Sequence, residues 1–224
     1  MTGNEKLGKM DTDPIRENLN KYTAKAFHML PKMNEPCILD IGCGSGVPTM
    51  ELARLSNGQV VAIDIDQAAL DKLSKNIEQA GLSHRIKTLR CSMFELDFQD
   101  ESFDIIWAEG SISRIGFKRG LEEWRRFLKP NGFLIIHDDI NNIHQKLKHI
   151  SSCGYEILGH FTLSEDIWWA EYYGPLERRI NDILMKYIDE SKDFVEFDSE
   201  QQEIEMFKKN PKLFRSVFFV MQKR

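Results

Sequence analysis

Five short apolar runs, each followed by a stretch with helical spacing, constrain the fold of this chain more than any other feature. The runs are CILDI (37–41), QVVAID (59–64), RIKTLR (85–90), FDIIWA (103–108) and FLIIHD (133–138). Residues 47–56 form a helix with Pro48 in its first turn. Asp66 caps the next helix, whose Leu70, Leu73, Ile77 and Ala80 share a face before Gly81 ends it. Phe117, Leu121, Trp124 and Leu128 mark another helix, closed by the turn signal KPNG, and NIHQKLKHISSCG a further one. Parallel strands need crossovers of this length, so the alternation predicts an α/β fold: a doubly wound, mostly parallel sheet with helices on both faces.

The flanks break that rhythm. Ile15, Leu19, Tyr22 and Ala26 predict an N-terminal helix over 13–30, stopped by Pro31. After residue 154, YEILGHFTL reads as a strand, 164–210 as largely helical, and FRSVFFVMQ as a last strand. No repeat or linker marks a second independent domain, so the expectation is one domain over 1–224. Within it, 14–160 is the core, 164–210 a helical cap insertion and 212–222 the last strand. The longest apolar runs, such as SVFFVM, suit buried strands rather than a bilayer span, and the polar N-terminus lacks the apolar core of a secretory signal. A cytoplasmic protein with no membrane partner is expected. Four scattered cysteines, none in a CxxC pair, read as reduced thiols with no metal framework. A formal charge of −5 argues against a nucleic-acid partner.

The first βα junction carries the chemistry. In LDIGCGSG (39–46), Gly42-Cys43-Gly44-Ser45-Gly46 leaves a strand and enters a helix, where glycines permit a tight turn and close ligand approach. Asp64, ending the second strand, is placed to accept hydrogen bonds from both hydroxyls of a ribose. Strand, glycine loop, helix, strand and acid together describe a nucleoside site. The dinucleotide fingerprint GxGxxG would need glycine at 47, which is Val47. Asp40 would repel a pyrophosphate and suits a ligand bearing an ammonium group. A dehydrogenase is therefore disfavoured.

LDIGCGSG, VVAIDID, SFDIIWAEGSI and LKPNGFLIIHDD resemble, in order and spacing, the successive motifs of class I S-adenosylmethionine-dependent methyltransferases, over roughly residues 14–160. The resemblance implies a Rossmann-like seven-stranded sheet with an antiparallel last strand. It also implies S-adenosylmethionine as cofactor and methyl transfer to a small-molecule acceptor by a monomer or homodimer. On it, Gly42, Cys43, Gly44 and Gly46 approach the methionine and ribose, Asp40 orients the amino group, Asp64 holds the ribose and Ile65 packs on the adenine. Ser92 and Met93 meet the adenine edge, where many relatives carry an acid in place of Ser92.

Methyl transfer needs alignment more than acid–base groups, so few obligatory catalytic residues are expected. Glu109, after the fourth strand, is placed to bind the cofactor's ammonium, orient an acceptor amine or take a proton. His137, after the fifth, has the intrinsic pKa of a base. Asp138, Asp139, Asn141 and Asn142 offer helix caps, or with Glu109 a magnesium site that would acidify a hydroxyl acceptor. In SEDIWWAEYYG, Trp168 with Tyr172 and Trp169 with Tyr173 pair at i, i+4. One pair packs inward and the other walls the acceptor pocket, with Tyr22 closing the other side. The rivals are an RNA or protein methyltransferase and a protein that binds the cofactor without turnover. AEGS, standing where an NPPY-like tetrad would be, disfavours planar amide or adenine nitrogens as acceptors.

Overall fold

A computed structural model describes residues 10–188 and 197–224. The seven strands are β1 (Cys37–Ile41), β2 (Gln59–Asp64), β3 (Ile86–Arg90), β4 (Phe103–Glu109), β5 (Leu128–Asp139), β6 (Tyr155–Leu163) and β7 (Ser216–Lys223). They form one sheet in the order β3-β2-β1-β4-β5-β7-β6, with β1 to β5 parallel and β7 antiparallel to β5. This is the Rossmann-like seven-stranded architecture expected. Its centre is apolar throughout because both faces are covered: Ile105, Ile106, Trp107 and Ala108 in β4 have no exposed surface.

The helices are α1 (Asp13–Arg16), α2 (Asn20–Phe27), α3 (Val47–Leu55), α4 (Gln67–Gln79), α5 (Phe117–Trp124), α6 (Ile143–Ser152), α7 (Glu165–Trp168), α8 (Gly174–Ile188) and α9 (Asp198–Lys209). Asp66 caps α4 as expected, accepting from the N–H groups of Ala68 and Ala69. Two local readings differ from the structure. The single helix expected over 13–30 is broken by a 3-10 turn at Glu17–Leu19, which separates α1 from α2. KPNG does not end the helix before it; it lies within β5. There the β4 pairing steps from Phe103↔Leu128 to Ile105↔Phe133, so residues 129–132 bulge out, with Asn131 at φ 62°.

The chain divides into two compact units. The larger comprises Asn20–Thr162 and Ser216–Arg224 and holds the sheet. Elements lie over both of its sides. Asp138 of β5 binds Lys146 of α6 on one face. His137 points to the opposite face and stacks on its cross-strand partner Phe218, which stacks in turn on Phe161, and Lys25 of α2 lies over the Phe161 ring. The smaller unit joins the described residues up to Leu19 to Leu163–Arg215. Its core is aromatic: Tyr172, Tyr173 and Phe207 gather with Leu176, Ile180 and Ile204, and Ile15 and Leu19 pack against them. Among the described residues no helix is long and apolar enough to cross a membrane.

Candidate functional site

β1 lies between β2 and β4, so the strand order reverses there and the crevice at the carboxyl ends opens between neighbouring connections. The glycine loop occupies that switch point. Gly42 has φ 74°, and a Cβ on it would lie 2.5 Å from Ser111 Cβ. Gly46 has φ 83°, and its Cβ would overlap the Leu73 side chain of α4. Both glycines are thus required by conformation and by space. The loop turns back over β2 through the Gly42 and Cys43 N–H groups, which donate to the Ile63 carbonyl at 2.8 and 3.0 Å.

Asp64 is stapled to this frame. Its Oδ2 accepts the Gly44 N–H at 2.8 Å and its Oδ1 accepts the Asp66 N–H at 2.9 Å. An ionised carboxylate has about four acceptor positions, so each oxygen retains capacity for a ribose hydroxyl. Asp40 sits behind the loop at 2% exposure and accepts from Thr49 Oγ1 at 2.6 Å. Burial, reinforced by the nearby Asp64 and opposed by the Thr49 hydrogen bond, pushes its carboxyl up to about 7. The same burial and the same two acids push the Cys43 thiol far above its ordinary range, so it is a packed, un-ionised group.

In front of this frame lies a pocket of about 470 Å³. Gly42, Asp64, Ile65, Ser92 and Met93 line it; Asp40, Cys43, Gly44 and Gly46 belong to the frame behind. Ile65 is 67% exposed and Phe94 49% exposed, two large apolar groups beside a polar pocket. A flat heterocycle would cover them. The Ser92 hydroxyl already accepts the Phe94 N–H at 3.3 Å and so shapes this turn. Apolar walls, a ribose-competent acid and a second buried acid fit an adenosine bearing a cationic tail. Sequence reasoning missed Phe94, Ser111 and Arg114, which also line the pocket. Ser111 donates to the Ile41 carbonyl at 2.6 Å, tying the end of β4 to β1; its signal was its place in AEGS after the strand.

Glu109 and His137 are register partners at the carboxyl ends of β4 and β5. Glu109 Oε1 accepts from Trp107 Nε1 at 2.7 Å and from Thr23 Oγ1 of α2 at 2.9 Å. His137 Nε2 lies 2.8 Å from Ser216 Oγ, and its ring stacks on Phe218 with centroids 4.2 Å apart. Tyr22 adjoins Thr23 on α2 and is half-buried. Asp138 lies on the other face in a buried ion pair with Lys146 at 2.7 Å. Among the described residues no group of three or more His, Cys, Asp or Glu side chains could hold a metal ion.

Trp168, Trp169, Tyr172 and Tyr173 belong to the smaller unit, where Trp169–Tyr173 is a π-helical turn between α7 and α8. Trp168 meets Tyr172 edge-on at 6.1 Å, one of the two expected pairs. Trp169 and Tyr173 both stack on Phe207, at 5.8 and 4.3 Å. Tyr173 donates to Glu203 at 2.9 Å, and Trp169 remains 37% exposed.

Residues 38–132 match the family model of a methyltransferase domain. An uncharacterized protein of Haemophilus influenzae is 35% identical over 115 residues, covering 49% of this chain and 46% of that protein. The chain spans about half the length of the curated relatives it first matches. Among solved structures, the [4+2]-cyclase SpnF has a TM-score of 0.75 at 20% identity, over 91% of this chain and 81% of its own. Phosphoethanolamine N-methyltransferase 2 of Haemonchus contortus, in complex with S-adenosyl-L-methionine, has a TM-score of 0.74 at 17% identity, over 92% of this chain and 52% of its own. At such identities these two likenesses establish the fold.

Proposed function

We propose that this chain, whose residues 38–132 match a methyltransferase domain, is a class I S-adenosylmethionine-dependent methyltransferase that moves a methyl group from S-adenosylmethionine to a small-molecule acceptor. Relatives named as sterol 24-C-methyltransferases and as 27-O-demethylrifamycin SV methyltransferase support an acceptor of that size. The observation that carries the reading is the joined set at the switch point. The glycine loop and Asp64 form one rigid frame, Asp40 lies buried behind it, and Glu109 and His137 stand on the neighbouring strand ends.

In this reading Asp64 binds the ribose, Ile65 and Phe94 cover the adenine, Ser92 and Met93 shape its edge, and Asp40 favours the ammonium end. When bound, the cofactor supplies a methyl group activated by a sulfonium. The chain's own task is then to hold a nucleophile in line with that methyl group, which lowers the barrier by several kcal/mol. Glu109 orients the acceptor and His137 takes its proton, while the Ser216 contact and the Phe218 stack hold the imidazole. Purified protein incubated with methyl-labelled S-adenosylmethionine and a cell extract, with and without magnesium, tests this. Label in the low-mass fraction is expected in both cases. Label confined to RNA or protein, or cofactor binding with no label anywhere, overturns it.

A further inference from the structure

The charge and bracing of Glu109 narrow the class of acceptor. Trp107 Nε1–H and Thr23 Oγ–H both donate to Oε1, which stabilises the ionised carboxylate and fixes its direction at the strand end beside Gly110 of the pocket. A carboxylate held in one direction by two donors on one oxygen is a good binding partner for positive charge. Asp64 and Asp66 add acids to the same switch point, against Arg114 as the one cation lining the described pocket. An anionic acceptor, such as a phenolate or carboxylate, would meet repulsion there. An alkene acceptor develops a carbocation, which needs an apolar enclosure. The rim instead carries a carboxylate and, as its direct register partner, an imidazole, Glu109 and His137, each tied to a buried hydroxyl.

On the methyl-transfer reading, we propose that the acceptor is an alkylamine held as its ammonium by Glu109, and that Thr23 is the residue that positions Glu109. The ammonium passes one proton to His137, giving an imidazolium and a neutral amine; this removes the amine's repulsion of the methyl donor and exposes the nitrogen lone pair. The nitrogen then forms the new C–N bond as the methyl C–S bond breaks with its electron pair going to sulfur. The product is a methylated ammonium and a neutral thioether.

The test uses the wild-type chain, labelled S-adenosylmethionine and a deproteinised cell extract, divided into two portions. In one portion amines are acetylated with an N-hydroxysuccinimide ester, and esters formed on hydroxyls are reversed with hydroxylamine. Label is expected only with the untreated portion, in products that a cation exchanger retains. Equal labelling of both portions overturns the amine assignment and leaves methyl transfer standing. No label with either portion removes the underlying reading and the assignment with it. Variants give a second readout. Thr23→Val is expected to raise the acceptor KM about tenfold at nearly unchanged kcat, with S-adenosylhomocysteine affinity by calorimetry unaltered and Thr23→Ser restoring the wild-type value. Glu109→Gln is expected to lower labelling about 10- to 100-fold with the same retained binding. Wild-type KM in Thr23→Val overturns the positioning role, and undiminished labelling in Glu109→Gln overturns the ammonium site.

Discussion

The two sides of the switch point are held by different means. On the cofactor side the frame is mostly backbone: Gly42 and Cys43 bind the Ile63 carbonyl, and Asp64 binds two N–H groups. On the rim, Glu109 and His137 are braced by side chains, Thr23, Trp107, Ser216 and Phe218. Backbone frames tolerate almost no change because a Cβ or a lost carboxylate disturbs several bonds at once. Side-chain braces fail one at a time, so a substitution at the rim leaves the glycine frame intact.

The largest effect should come from the frame. Gly42→Val places a branched Cβ against Ser111 at a left-handed backbone position. Loss of S-adenosylhomocysteine affinity by about 100-fold or more is expected by calorimetry, with a lowered melting temperature. A variant that binds normally would break the contrast between the two sides. Asp64→Ala comes next. It leaves the Gly44 and Asp66 N–H groups without their carboxylate and removes the ribose acceptor, so about 2–4 kcal/mol of cofactor affinity should go.

Asp40 sharpens the comparison through pH. Its carboxyl is raised to about 7 from 3.8, so the folded chain holds a proton that the unfolded chain has already released. The stability this contributes is fully present below about pH 3.8, falls as pH rises, and is gone above about 7. The whole effect is at most about 4 kcal/mol. A cationic cofactor favours the ionised form, so binding should release a proton and tighten by about tenfold between pH 6 and pH 8. Calorimetry in buffers of different ionisation enthalpy measures that release; Asp40→Asn should abolish it. The smallest effect is reserved for the aromatic unit. Trp169→Ala removes a partly exposed ring stacked on Phe207 and is expected to lower the melting temperature by a few degrees with unchanged cofactor affinity. A change in cofactor affinity would contradict the separation of the aromatic unit from the glycine frame.

The strands and the cofactor frame were legible because their determinants are local. Short β-rich runs, Asp66 before an apolar stripe and glycines directly after β1 each act within a few residues of themselves. KPNG was read correctly as a turn and placed wrongly as a helix end, because only pairing with β4 shows that the strand resumes through it. The break between α1 and α2 was hidden for a similar reason. Ile15 and Leu19 pack in the aromatic cluster of one unit, while Thr23 and Ala26 are buried in the other, so one apolar stripe serves two cores.

By itself, then, the order of residues determined the parallel sheet, the switch point and the acids that face it. Hydrophobic periodicity, capping and glycine conformation are properties of neighbouring residues along a chain. Tertiary structure alone decided which side chains brace the rim. Thr23 is 86 residues from Glu109, Ser216 is 79 from His137 and Ser111 is 70 from Ile41. A serine or threonine carries no local mark of a partner so distant; only the folded sheet, by bringing α2, β4, β5 and β7 to one rim, turns those hydroxyls into parts of a site.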